Sequence, residues 1–486
     1  MPLALLLFFA QASGDLVSAI RVFADVYAAV EKNAADPIDP NRAVYEGALP
    51  GMLRKLDPHS VFFSPGQFDQ LKELQSSTSK GFGTVVSVLP GRVIILQTVE
   101  GTPAARSGLQ PGDEIVAVNG IRLDWLDIEQ LVGLLGESRR RPAKLDVRRH
   151  GSRYSLQFTL TPEELASPAV DRAFMLQPGI GYVRATSFEA ETGKQIKEAI
   201  EKLGGAALRG LVLDLRNNPG GVLTAGLDTA ALFLPPGKKL LSIRGRARQA
   251  EETTVPDRGA PYTFPLAILI NGKSASASEI VAGGMQDHDR ATIIGETSYG
   301  KGLVQSVYPL SQGTGMALTT AFYFTPSGRS IQKPLPEGQL AGTPMWQSLE
   351  TQTEFRTDSG RKVQGGGGIQ PDYVVRPGGM TRLRAALEAS AAITTFATGA
   401  IKTLPPVTAA FEVSDTLLEG FRSFLAENKI MPGVSEWSAD REWTRSRLKQ
   451  EIFNQTIGVE KGDEVESGRD PQIRKALEVL TAAQRP

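Results

Sequence analysis

Two short runs constrain this chain more than any other feature: "LVLDL" at 211–215 and "LAILI" at 266–270. Each is almost wholly apolar over the length of a strand, so each is expected to be covered on both faces rather than one. Between about residues 180 and 375 such strands alternate with helical patterns, in the order "GYVRATSF", "GKQIKEAIEKLG", "LRGLVLDLR", "LTAGLDTAALFL", "PLAILING", "SASEIVAGGMQ" and "RATIIGE". That alternation predicts an α/β layer structure with helices on a largely buried sheet.

A chain of 486 residues requires more than this one layer, and its length suggests about three or four domains. From residue 15 to 74 apolar positions recur at helical spacing, as in "LVSAIRVFADVYAAVEK", interrupted by "DPIDP" and "LDPHSVFFSP". Such amphipathic faces pack internally or pair two subunits. After "PDYVV" the last hundred or so residues predict a charged helical extension of architectural use, clearest in "LLEGFRSFLAEN", "REWTRSRLKQEIFNQ" and "PQIRKALEVL". The opening "PLALLLFFAQA" is too short to span a bilayer and ends in Ala10-Gln11-Ala12, so it predicts an export signal, although a basic start is missing. Fifty-three basic residues balance fifty-three acidic ones, which gives no electrostatic reason to expect nucleic acid. The absence of cysteine removes disulfides, thiolate metal ligands and a thiol nucleophile together.

From about residue 80 to 162 the pattern changes to short strands: "GTVVSVL", "RVIILQTV", "DEIVAVNG", "AKLDVRR" and "RYSLQFTL". Gly81 and Gly83 flank Phe82 at the opening of the first, "GTPAARSGLQPGDEIVAVNG" follows at 101–120, and a helix "DIEQLVGLLGE" precedes the closing strands. In this order the elements resemble a PDZ domain. The glycines leave the N–H groups of Phe82, Gly83 and Thr84 open to a peptide's terminal carboxylate while the peptide adds as a strand. The third glycine of a dinucleotide fingerprint is absent, and a strand follows where a helix is required.

Chemistry concentrates in "NGKSASASEIVAGG" at 271–284, where three serines alternate before a helix. A serine at a helix N-terminus can use its neighbour's N–H to stabilise an oxyanion, although most such serines only cap the helix. The base is constrained by scarcity. Of three histidines, His59 and His150 lie in other regions, and His288 is twelve residues along the same helix from Ser276, roughly 18 Å at 1.5 Å per residue. The "DHD" of 287–289 reads as surface capping at that helix's end rather than a metal site. A lysine remains as proton acceptor, and Lys301 stands between glycines in "SYGKGLVQ". Serving as base requires a pKa well below the usual value of about 10.4, which burial can supply.

With "LDPHSVFFSP", the PDZ-like segment, "LDLRNNPGG", "NGKSASASEI", "QDHDRATIIGETSYGKGLVQ", "LTTAFYFTPSGRSIQ" and "GGIQPDYVV" in order over about residues 40 to 375, the chain resembles the carboxy-terminal processing proteases of peptidase family S41. The resemblance implies Ser276 as nucleophile, with Ser274 and Ser278 structural, Lys301 as general base, and Gln305 orienting it. It also implies an oxyanion hole of the Ala277 N–H with that of Gly220 or Gly221. The implied fold is multidomain α/β: a crotonase-like ββα catalytic domain (164–376) with an inserted PDZ domain (77–163) whose Gly81, Phe82, Gly83 and Thr84 take the substrate tail; the sequence adds a signal remnant (1–14), a helical N-terminal region (15–76) and a helical extension (377–486) that exceeds a minimal family member. It implies protein substrates with exposed C-terminal tails and calls for no cofactor or metal; the apolar leader adds a periplasmic or envelope location, and the helical N-terminal region and C-terminal extension add a homo-oligomer, with a dimer favoured, and room for an adaptor protein. Lys273, beside the nucleophile turn, departs from the family pattern. Competing readings are a catalytically inactive peptide-binding scaffold and a crotonase-type acyl-CoA enzyme, for which a peptide reader has no evident use.

Overall fold

A computed structural model describes residues 14–75, 78–89, 91–139, 141–149, 152, 154–166, 168–246, 248–334 and 354–483. The apolar leader with its Ala10-Gln11-Ala12 site, and His150, lie outside the described residues. The described residues divide into two compact units: 14–73 with 305–320, and 74–304 with 321–334 and 354–483.

The first unit contains α1 (Gly14–Asn33), a π-helical turn (Arg42–Ala48), α2 (Leu49–Arg54), β1 (Val61–Phe63) and α3 (Pro65–Gln75). β1 pairs antiparallel with residues 315–317. Before it, the carboxylate of Asp57 accepts from the N–H groups of His59 and Ser60 and from the Ser60 hydroxyl, which fixes the "LDPHS" turn. The helical pattern of α1 is present, but internal packing of its apolar face is not: Leu16, Ile20, Phe23, Val26 and Val30 are all exposed. Periodicity sets which residues share a face and says nothing about whether a partner lies in the same chain.

The second unit begins with an antiparallel sheet whose strands run in spatial order β2 (Thr84–Leu89), β3 (Arg92–Thr98), β4 (Glu114–Val118), β5 (Ala143–Arg148) and β6 (Leu156–Leu160). Two helices accompany it, α4 (Pro103–Ser107) and α5 (Ile128–Ser138). Asp127 caps α5 by accepting from the Gln130 N–H, and Leu131 buries the helix against Val93, Ile95, Ile115 and Val147. β2 is an edge strand, with α5 beside it. Gly81 does not open β2. It closes a separate strand, Thr78–Gly81, paired with Glu163–Ala166, so the two ends of the segment are tied together.

The alternating region forms a six-stranded sheet in the order β7 (Val170–Gln177), β8 (Ile180–Ala185), β9 (Gly210–Asp214), β10 (Leu266–Ile270), β11 (Ala291–Gly295) and β12 (Tyr373–Val374). The first pair is antiparallel and the rest parallel. The runs that predicted a doubly covered sheet are its centre, and every residue of β9 and β10 is buried. The intervening helices α6 (Thr192–Lys202), α7 (Leu223–Ala231) and α8 (Ala277–Asp287) contribute Ile196, Ile200, Ala225, Ile280 and Val281 to the core on one face.

The other face is covered from the end of the chain. The extension runs through α9 (Arg382–Ala389), α10 (Ala392–Ala400), α11 (Asp415–Glu427), α12 (Val434–Thr456), α13 (Val459–Arg469) and α14 (Pro471–Ala482). Ile473, Ala476 and Leu480 of α14 pack with Tyr182, Val212, Ala267, Leu269 and Ile294. Arg216 after β9 joins Asp214 to Asp470 and Gln472 at the start of α14, and Arg172 on β7 pairs with Asp463 of α13 at 2.8 Å. Earlier in the extension, Ala391 packs on Ile94, and the Arg92 guanidinium reaches Thr395.

Candidate active site

β10 ends at Ile270, and residues 271–276 turn into α8. The three serines of that turn part ways. Ser274 donates to the Leu215 carbonyl at 2.7 Å and Ser278 to the Asn218 carbonyl at 3.0 Å, both fully buried. Ser276 alone is partly accessible, and its backbone sits at φ 54°, ψ −116°, a strained conformation for a residue with a side chain. Strain of this kind persists only where surrounding bonds over-determine it.

Here the determinant is Glu279, one turn into α8 and fully buried. One carboxylate oxygen accepts from the Ser298 hydroxyl at 2.5 Å and the Gly300 N–H at 2.7 Å. The other accepts from the N–H of Ser276 at 3.0 Å and of Lys301 at 2.9 Å. The backbone nitrogens of Ser276 and Lys301 therefore lie no farther apart than those two distances end to end, 5.9 Å. Burial raises the Glu279 pKa and the four donors oppose it. With four donors and no acceptor facing its oxygens, the carboxylate is the form this geometry accepts.

Lys301 is half-buried, and burial lowers its pKa, an effect that the Glu279 charge partly offsets. Its amine and the Ser276 hydroxyl are not hydrogen-bonded to each other. Gln305 belongs to the first unit, where its amide donates to the His59 carbonyl at 2.7 Å.

The "NPGG" turn also reaches the serine. A Cβ on Gly220 would stand 2.6 Å from the Ala275 carbonyl oxygen and 2.7 Å from the Ser276 Cβ, so only glycine permits this approach. The Gly220 N–H is occupied by the Asn218 side chain at 2.9 Å. The N–H groups of Gly221 and Ala277 make no hydrogen bond to any described residue. Asn218, fully buried, also donates to the Ala185 carbonyl and accepts from the Ala275 N–H, locking this turn to the 271–276 turn.

In the small antiparallel sheet, the Phe82 carbonyl accepts from the Ala104 N–H and that of Gly83 from the Val99 N–H, while the N–H groups of Phe82 and Gly83 have no described partner. Gly83 has φ 76°, and a Cβ there would lie 2.3 Å from Thr102. Gly81 is buried just before them, and Thr84 begins the edge strand.

The "DHD" reading is corrected. Asp287 is buried in an ion pair with Arg329 at 2.8 Å and accepts from the Ser327 N–H, while Asp289 pairs with Arg361 and His288 with Asp358. The helix does end there, but later segments fold over its end, and a pattern read along one helix cannot show that. Glu279 was also missed. Its signal was available, since a serine followed three residues later by glutamate before an apolar run is a capping-box pattern.

A family profile described as peptidase family S41 matches residues 179–338, and one described as a PDZ domain matches residues 94–149. A carboxyl-terminal-processing protease of Synechocystis sp. is 34% identical over 309 residues, covering 62% of this chain and 72% of the relative. The chain belongs to peptidase family S41. A carboxy-terminal-processing protease of Bartonella bacilliformis is likewise 34% identical, over 332 residues, covering 65% of this S41 chain and 75% of its own. Among solved structures, a photosystem II D1 C-terminal processing protease aligns at 26% identity with a TM-score of 0.40, covering 68% of this chain and 93% of its own. This S41 member is a serine-type peptidase of the C-terminal processing group, with a PDZ domain and protein substrates.

Proposed function

We propose that this peptidase cuts protein substrates near their C-termini by a serine–lysine dyad, with the PDZ domain holding the substrate tail. The observation that carries the reading is the buried Glu279 carboxylate, which binds the backbone of Ser276 and Lys301 through the same oxygen. Two turns far apart in sequence are thereby held as one unit. Burial favours the neutral lysine amine that a base requires.

The neutral Lys301 amine takes the Ser276 hydroxyl proton as the serine oxygen attacks the scissile carbonyl. The tetrahedral oxyanion is met by the N–H groups of Ala277 and Gly221, favoured over Gly220 because the latter's donor is already engaged. Collapse breaks the C–N bond, and the leaving amine takes the proton from Lys301. A water then gives its proton to the same amine, attacks the acyl-serine, and restores both groups. The tail's carboxylate sits on the free N–H groups of Phe82 and Gly83, and its backbone extends the edge of β2.

The finer assignments belong to the same reading: a crotonase-like catalytic layer (164–376) with the PDZ domain (77–163) inserted, Gln305 acting on the lysine turn, and export to the periplasm or envelope. A homodimer is supported by the exposed apolar residues of α1, of which Leu16, Ile20, Phe23 and Val30 fall on one seam. The test is cleavage of a protein with an unstructured C-terminal tail by wild type, Ser276→Ala and Lys301→Ala. Both variants are expected to lose turnover while still binding the tail peptide. Turnover retained in Ser276→Ala would reject the nucleophile.

A further inference from the structure

The rim of the site on the lysine side carries two exposed groups to which the mechanism gives no task. Tyr299, two residues before Lys301, is 46% exposed, although its N–H is fixed on the Ser274 carbonyl at 2.9 Å, against the nucleophile turn. Lys333 is also exposed and lies beside the same turn: its N–H donates to the Gly300 carbonyl at 3.0 Å. Its stem covers Gly300, where a Cβ would stand 2.6 Å from the Lys333 Cγ, and its ammonium lies 5.8 Å from the centre of the Tyr299 ring. Only glycine at 300 lets the lysine lie flat across the turn. On the other side of Ser276, the nucleophile turn carries exposed Lys273.

Among the described residues of these turns, no ion pair neutralises those charges. Glu279 is buried with both oxygens filled by donors, and Glu296, after β11, lines a cavity of about 270 Å³ with Arg184 and Arg216. The Tyr299 ring, its centroid 5.8 Å away, attracts the Lys333 charge electrostatically and leaves ammonium N–H donors available to a further partner. Two exposed ammonium groups beside the dyad, one laid over an aromatic shelf, make a surface suited to a carboxylate.

Building on the proposed dyad, we infer that Tyr299 and Lys333 form a substrate subsite that selects a carboxylate close to the scissile bond. The ring packs against the substrate's backbone or side-chain methylenes, and the ammonium pairs with the acid. Such a carboxylate has two sources, an acidic side chain flanking the cut or, in a substrate whose tail is not held on Phe82 and Gly83, its own terminal carboxylate.

The full-length enzyme is assayed with peptide sets that differ only in Glu against Gln at each of three positions on either side of the cut, and in a terminal acid against an amide. Binding of the labelled peptides to Ser276→Ala is followed by anisotropy, so the subsite is read even where turnover is lost. At low salt wild type is expected to prefer the acid about two- to fivefold through KM, as befits one exposed ion pair, and to lose the preference near 1 M salt. A Glu/Gln ratio locates the partner in a side chain; an acid/amide ratio locates it at the chain end. Lys333→Gln should bring the ratio to one, Lys333→Arg should keep it, and Lys333→Glu should reverse it, favouring Gln over Glu or amide over acid. An unchanged ratio in Lys333→Gln, or no discrimination by wild type in either set, overturns the subsite. Equal loss on all peptides with no rescue by arginine also overturns it, because that is the signature of a structural role.

Discussion

Replacing Glu279 with glutamine changes one atom and tests the arrangement that joins the two turns. The carboxylate receives four hydrogen bonds, two on each oxygen. A glutamine carbonyl can serve one pair, but its NH2 then confronts the other. Turned toward Ser298, whose hydroxyl can reorient, it still leaves the Gly300 N–H unpaired; turned the other way it strands the N–H groups of both Ser276 and Lys301. One buried N–H left without a partner costs about 1–3 kcal/mol, and the two bonds that remain lose their charge assistance. At about 1.4 kcal/mol per decade, kcat/KM on a tailed substrate should fall about ten- to a hundredfold. The melting temperature should fall by roughly 2–4 °C for each kcal/mol. The pH profile supplies a sign that general damage would not. The Glu279 charge opposes the effect of burial on Lys301, so removing it lowers the lysine pKa further and moves the acidic limb of kcat/KM to lower pH as the plateau drops. Wild-type turnover with an unchanged melting temperature would mean that this carboxylate does not hold the turns together.

Gly220→Ala should abolish turnover, because the new Cβ meets the Ser276 Cβ and the Ala275 carbonyl below contact distance in a backbone at φ 90°; retention of more than a tenth of wild-type kcat in a peptide assay would contradict that geometry. Lys301→Met should be inactive yet more stable than wild type at neutral pH. With the folded pKa depressed, the lysine's favourable contribution is present above its unfolded pKa and lost as pH falls through the folded one, so the melting-temperature gain should shrink at alkaline pH. Leu480→Ala removes a fully buried side chain where α14 covers the sheet and should cost about 2–5 kcal/mol in denaturant unfolding; a loss below 1 kcal/mol would show that α14 is not part of the core.

Much of this molecule was legible locally. The runs at 211–215 and 266–270 read as buried strands, and the alternation of strands and helices ordered the layers. The three serines were not separable by composition. Ser274 and Ser278 are removed from contention by the Leu215 and Asn218 carbonyls, which stand 59 and 60 residues earlier in the chain. The "DHD" failed as a local reading for the same reason, since Asp287 meets Arg329 from 42 residues away.

Periodicity, turn chemistry and residue type are properties of neighbours along the chain, so they are readable from the order of amino acids alone. They assign strand, helix, cap and the repertoire of available bases. Whether an apolar face finds a partner depends on long-range closure. The α14 face does, against the far side of the central sheet, whereas Leu16, Ile20, Phe23, Val26 and Val30 of α1 find no cover among the described residues. The same holds for the turns that carry Ser276 and Lys301: they meet because a single buried carboxylate accepts from both, and the burial that makes this bond strong exists only once the layers have closed around it.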